Sequence, residues 1–267
     1  MVTTNVKSTS CCSTVRLATL PPSHPLFKII ERSANRYIKS HCSPLYRIFH
    51  FAQLTPSSVE KILSSFQPNF IPAVSTSIAP SCRQAVSDAK KLHLTHEVRV
   101  YSDGSMFKGG VSTAASLYQG NMLQKSLTFH LGSELDHSVY KAEIVGMLLS
   151  VHLLNSLSHC LLNPTICLDN QLSIRALNNL KPYPAHYLLD HMHNAAKALK
   201  EKEQLKANGN SERLFLHIIW TPGHEGIPEN ELVNSLAKEA AKGKSSPHLS
   251  LPPLLCKLLP QSASTVK

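Results

Sequence analysis

The stretch VRVYSDGSMFKGGVSTAASLYQGNMLQKSLTFHL, residues 98–131, decides the fold. Apolar and polar residues alternate over Val98–Ser102, the period of a strand whose two faces differ. Gly109 and Gly110 mark a turn, and Val111–Tyr118 reads as a second strand. Gln119, Gly120 and Asn121 make a hairpin turn into a third strand, Met122–Leu131. Three strands joined by two tight turns form an antiparallel meander.

Downstream the period changes. Ser138 is an N-cap for a long helix through about Leu157. Pro164–Leu168 is a short buried strand, followed by helices over Gln171–Leu180 and Ala185–Ala207. Leu214–Trp220 is a fifth strand, and Glu229–Ala241 is the last helix, with Gly243 just past its end. The order β-β-β-α-β-α-α-β-α predicts an α/β fold. Its mixed five-stranded sheet combines the meander with two parallel strands, flanked by helices.

Upstream the texture is different. Residues 1–20 are rich in Ser and Thr without a period, and their beginning is expected to be disordered. Phe27–Lys39 reads as a basic amphipathic helix, with Ile29, Ile30 and Ala34 on one side and Lys28, Arg32, Arg36 and Lys39 on the other. Val59–Phe66 reads as a second short helix, and residues 68–97 as a linker carrying Pro68, Pro72 and Pro80. The chain thus divides into a basic connection segment (1–96), an α/β domain (97–245) and a flexible tail (246–267).

Composition narrows the function. In 267 residues, an apolar fraction of 42% excludes wholesale disorder. Seven cysteines without a C-x-x-C spacing exclude a zinc ribbon and give no disulfide framework, which points to an intracellular, reducing compartment. Residues 1–20 lack the apolar core of a secretory signal. The uncharged run Ile144–Leu162 reaches spanning length, but His152, Asn155, His159 and three serines mark it as a buried helix, so no membrane partner is expected. The net charge is +10, of which residues 1–97 carry +7 and residues 98–267 carry +3. That asymmetry suits a polyanion such as nucleic acid; the alternative is a surface that only aids solubility. Lys197, Lys200, Lys202 and Lys206 leave the same two readings open, a solvated face or a handle for a nucleic-acid backbone.

Three acids carry the chemistry. Asp103 ends the first strand, Glu143 lies in the first turns of the long helix, and Asp169 ends the fourth strand. Strands ending in Asp beside a helix bearing Glu bring carboxylates to one end of a sheet. Their mutual repulsion raises their pKa values, and hard divalent cations relieve it. Two such ions activate a water and stabilise the leaving oxygen of a phosphodiester.

These motifs resemble the type 1 ribonuclease H domain, over about residues 97–245. The match runs through Asp103-Gly-Ser105, Ala142-Glu143, Asp169-Asn-Gln171, the run from Trp220 to Gly226, and Asn230-Glu231 with Leu236–Ala240. It is most similar to the domain ending non-LTR retrotransposon polyproteins. Leu17–Leu26, Ala34–Lys39 and His41–Leu45 resemble the connection that precedes it there. The resemblance implies a ribonuclease H-like fold and cleavage of the RNA strand of an RNA–DNA hybrid, and the chain is expected to be a monomer. It implies two Mg²⁺ ions, with Mn²⁺ as a substitute, held by Asp103, Glu143 and Asp169. His224 matches a loop histidine for proton transfer or product release, and Ser105, Asn170 and Gln171 fall where the hybrid is contacted. The fourth carboxylate falls at Asn234, a neutral metal ligand that lowers the ligand charge from −4 to −3. A catalytically inactive hybrid-binding module is the alternative that Asn234 favours. A transposase would want its acids in the order Asp, Asp, Glu, and the order here is Asp103, Glu143, Asp169.

Overall fold

The computed structural model describes residues 12–35, 42–62, 73–159, 161, 163–179, 181–206 and 216–265. At its centre lies a mixed sheet of β1 (Val74–Ser77), β2 (Val98–Phe107), β3 (Gly110–Gln119), β4 (Met122–Ser133), β5 (Thr165–Leu168) and β6 (Leu216–Trp220), in the order β1-β6-β5-β2-β3-β4. β2, β3 and β4 are antiparallel neighbours, whereas β2, β5, β6 and β1 run parallel. This is the expected ribonuclease H-like architecture with one strand more than the five foreseen.

The helices are α1 (residues 12–18), α2 (Phe27–Asn35), α3 (Pro44–Phe51), α4 (Cys82–Thr95), α5 (Val139–Asn155), α6 (Gln171–Ala176), α7 (His186–Lys206) and α8 (Pro228–Ala240). Strand alternation sorts the core into two layers. Val100, Ala115 and Ile166 face a cluster that includes residues of α5 and α7. Their neighbours Tyr101, Ala114 and Cys167 face a second cluster with Ala89 of α4 and Val233 and Ala237 of α8. α5 is buried on nearly every side between sheet and α7, which explains the uncharged run after Glu143. Among the described residues no helix is long and apolar enough to cross a membrane.

Three readings need correction. Residues 68–97 are not only a linker. They contain β1, which pairs with the open edge of β6, and α4, whose N-cap Ser81 accepts a hydrogen bond from the Gln84 amide. β1 is four residues long, three of them Ser or Thr, so it has no apolar alternation to read; the edge of β6 supplies its partner. α4 buries only Ala85 and Ala89, a stripe too narrow to register as amphipathic. Second, residues 59–62 are not helical: Val59 bridges to Gln261, while the unforeseen α3 begins behind its cap Ser43. Third, residues 246–265 are not a free tail. Ser246 exchanges hydrogen bonds with Thr128 on the open edge of β4, and Leu251 and Leu255 enter the main core. Of the α7 lysines, Lys202 donates to the Asn155 carbonyl that ends α5 (2.6 Å) and Lys206 to the carbonyls of Leu157 and His159 in the loop after it. Expectations for residues 1–11, 36–39, 63–66, 180 and 207–215 lie outside the described residues.

The segment before β1 and the tail meet at one buried ion pair. Glu60 accepts hydrogen bonds from the amides of Ala263 (2.7 Å) and Ala185 (3.1 Å). Lys141 of α5 stands 3.9 Å from Glu60, donates to the Pro260 carbonyl and lies over the Tyr187 ring. Both side chains are fully buried. Burial raises the Glu60 carboxyl pKa and lowers that of Lys141 to about 8. A buried pair contributes little net stability but is costly to break one-sidedly. Glu60→Ala is therefore expected to destabilise the fold by about 3 kcal/mol in urea unfolding. The double change Glu60→Leu with Lys141→Met should recover most of that loss; an equal loss in both proteins would show that the pair's charges are not what matters.

Candidate metal centre

The parallel register places the acids. Ser102, Leu168 and Trp220 fall in one row across β2, β5 and β6. Asp103 and Asp169 each follow by one residue, so they stand side by side: Asp169 just past the end of β5, but Asp103 inside β2, which does not end at the acid as expected because its pairing with β3 carries it on to Phe107. Glu143 comes from α5, whose first turn is fixed by Ser138 accepting from the Lys141 amide. One ligand oxygen from each of Asp103, Glu143 and Asp169 lies within 4.8 Å of the others.

Small residues make this approach possible. A Cβ on Gly104 would lie 2.6 Å from the Glu143 amide nitrogen, so only glycine lets β2 pass under α5 there. A Cβ on Gly146 would lie 2.7 Å from Thr113 Oγ1, itself donating to the Asp103 carbonyl (2.7 Å). A Cβ on Gly223 would lie 2.8 Å from Asp169 Oδ2, so the loop after β6 rests against that acid. The Trp220 indole donates to the Asp169 carbonyl (3.0 Å). Trp220 reads from sequence as core alone. It packs against the core and also fixes the backbone of an acid, a role legible only from its place one row short of Asp169.

The remaining expected residues gather nearby with different surroundings. His224 takes a left-handed backbone (φ 59°) and its exposed ring lies 3.7 Å from Glu231 of α8. Asn170 caps α6 by accepting from the Ser173 amide (3.1 Å), and also favours the ionised form of Glu143. Gln171 opens α6 and accepts from Arg175, while Ser105 is buried on β2 opposite Ser112. Asn234 is half-buried on α8, three residues after Glu231 and four before Lys238. Glu231 and Lys238 both act on the charge of Asp103, so the helix ridge holding Asn234 faces the centre. Cys167 is buried, its thiol pushed up to about 12 by burial, which fits an inert side chain; Cys160 lies outside the described residues.

Burial, then mutual repulsion, sets the electrostatics. The Asp103 carboxyl is pushed up to about 7 by burial and by the charge of Asp169. Glu143 is driven well above the usual range by burial, then by Asp103 and Asp169. Burial also raises Asp169, against the opposing pull of His224. Glu143 Oε2 is buried without a hydrogen-bond partner. An all-oxygen set with an orphaned carboxylate oxygen fits a hard divalent cation such as Mg²⁺ or Mn²⁺.

A domain with a mixed sheet, acids side by side on two neighbouring parallel strands and a helix-borne Glu is of the ribonuclease H-like class. The sequence profile of the RNase H family matches residues 95–242, and the chain belongs to that family. A ribonuclease H1 from the halophilic archaeon Halobacterium salinarum NRC-1 is 16% identical, covering 55% of this chain and 98% of that one at a TM-score of 0.39. LC11-RNase H1, solved in complex with an RNA/DNA hybrid, is 13% identical over 54% of this chain and 98% of its own, also at 0.39. A foamy viral protease-reverse transcriptase, solved with RNA/DNA hybrid, is 14% identical over 70% of this chain and 23% of its own, at 0.40. None of the curated proteins matches significantly. The family assignment rests on the sequence profile.

Raised carboxyl pKa values are a statement about stability. The folded state holds the Asp103 proton more tightly than the unfolded chain, so this residue's contribution is favourable at low pH. It is lost as pH rises from the ordinary value of 3.8 through about 7. His137, lowered to about 4 by burial, works in the opposite sense, so the informative quantity is a difference between proteins. Metal-free Asp103→Asn is expected to match wild type near pH 4 and to exceed it at pH 7 by ~1–3 kcal/mol. Denaturant midpoints at the two pH values measure this; parallel pH profiles would show that Asp103 is not under strain.

Proposed function

We propose that the protein hydrolyses the RNA strand of RNA–DNA hybrids with the aid of divalent cations, and that it derives from a non-LTR retrotransposon polyprotein. The observation that carries the activity is the convergence of Asp103, Glu143 and Asp169, oxygen within 4.8 Å of oxygen, in an RNase H family chain. The origin is supported by the connection-like motifs at Leu17–Leu26, Ala34–Lys39 and His41–Leu45.

In this reading Asp103, Glu143 and Asp169 hold two Mg²⁺ ions, with Mn²⁺ as a substitute and the Asn234 amide oxygen as a neutral ligand. Bound cations of this kind supply Lewis acidity, activating water and stabilising the leaving oxygen. The protein's own contribution is orientation. Trp220 and Gly223 fix Asp169, Gly104 seats Glu143 against β2, and the exposed His224 ring is free to move a proton to the departing strand. Ser105, Asn170 and Gln171 sit beside the acids, placed to read the 2′-hydroxyls that distinguish RNA. The protein is proposed to act as a monomer inside the cell. An inactive hybrid-binding module is the second reading, favoured by the neutral Asn234.

Labelled hybrid incubated with Mg²⁺ or Mn²⁺ decides between them. Asp103→Asn should lower cleavage at least about 100-fold while the protein stays folded. Mn²⁺ should outperform Mg²⁺, because it binds such oxygen and nitrogen sites more tightly. Asn234→Asp should lower the metal concentration for half-maximal rate. Unchanged cleavage by folded Asp103→Asn removes the assignment. Hybrid binding without cleavage in either metal leaves the binding module.

A further inference from the structure

Asn234 leaves the centre one carboxylate short, and α8 carries another acid one turn earlier. Glu231, Asn234 and Lys238 are spaced three and four residues apart, so they share one ridge of the helix. The ridge faces the acids. Glu231 is near enough to raise the carboxyl pKa of both Asp103 and Asp169, whereas Lys238 lowers that of Asp103. A second path leads to the same place. Gly223 rests on Asp169 Oδ2, the next residue is His224, and the His224 ring lies 3.7 Å from Glu231 Oε1. The Glu231 side chain therefore hangs beside the Asp169 side of the cluster. It is 43% exposed, and its ion pair among the described residues is a loose contact with the more exposed His224 ring. Across the cluster, the Oε2 atom of Glu143, a residue only 3% exposed, is unpartnered. The centre thus holds ligand capacity on one side and a reachable carboxylate on the other.

We propose that Glu231 supplies the fourth carboxylate of the cation centre, leaving His224 to join Asp169 around the second ion. This rests on the divalent-cation reading given above. Three helical residues span about 4.5 Å, and glutamate's extra methylene makes up part of that offset. With Glu231 the centre again has four carboxylates, so the charge lost at Asn234 is restored from the same helix. A role confined to holding His224 predicts something different: a change in the pH profile of cleavage with no change in cation binding.

The test is Mn²⁺ titration of the full-length, metal-free protein, followed by calorimetry and by the paramagnetic resonance signal of free Mn²⁺. Wild type, Glu231→Gln, Asn234→Asp, His224→Ala and the Glu231→Gln/Asn234→Asp pair are compared, with circular dichroism to verify folding. Wild type should bind two ions. Glu231→Gln should weaken the second about 10-fold or more and leave the first unchanged. Asn234→Asp should restore the second ion in the Glu231→Gln background and matter less in wild type, a non-additivity expected of groups sharing one partner. His224→Ala should not weaken either ion. Equal binding by wild type and Glu231→Gln, or a single ion in wild type, overturns the role of Glu231 and leaves the three-acid centre standing. Absence of any Mn²⁺ binding by wild type overturns both.

Discussion

Three carboxylates held together in a buried place repel one another, and the rest of the structure is arranged to prevent their separation. Two come from neighbouring parallel strands, where the ladder fixes their spacing. The third comes from α5, pressed on the sheet by Gly104 and Gly146. Neither element can relax without disturbing the core, because α5 is buried between sheet and α7. The cost of repulsion is thus borne by apolar packing, as expected where function and stability oppose each other.

Much of this was legible in the chain. The meander, the long helix and both later strands follow from period and punctuation, and Asp169 could be placed at a strand end before any geometry was available, whereas Asp103 lies inside a strand that continues to Phe107. What escaped was held by partners rather than by pattern. β1 has no apolar face of its own, α4 buries two alanines, and residues 246–265 are ordered by contacts reaching back to β4 and Glu60. Sequence period reports local burial and says little about an element whose stability is lent by a distant one. The lysines of α7 illustrate the same limit. Their spacing shows a charged face, but only the structure shows Lys202 turned onto the last carbonyl of α5 and Lys206 onto the loop that follows it.

The additional strand alters the surroundings of the loop after β6. β1 and α4 border the β6 side of the sheet. α4 reaches the loop through Cys82, whose thiol donates to Glu225 (3.2 Å), and reaches α8 through His93, 2.9 Å from Glu229. Arg99, fully buried, joins this layer by donating to the carbonyls of His96 and Gly120. The basic N-terminal segment is therefore not simply an appendage beside the nuclease domain. Its last third forms part of the domain and braces the helix that carries Glu231 and Asn234.

The buried pair between Glu60 and Lys141 also imposes an order of assembly. Lys141 gains its acceptor at Pro260, and Glu60 the second of its two donors at Ala263, from residues synthesised more than a hundred positions after the helix they stabilise. Leu251 and Leu255 complete the same core. On a ribosome, the sheet and its acids emerge while this part of the core is still open, and the Glu60–Lys141 pair gains its full set of partners only once residues 251–263 have followed. Vectorial synthesis therefore delays closure of the core around Lys141 until residues 251–263 have been made.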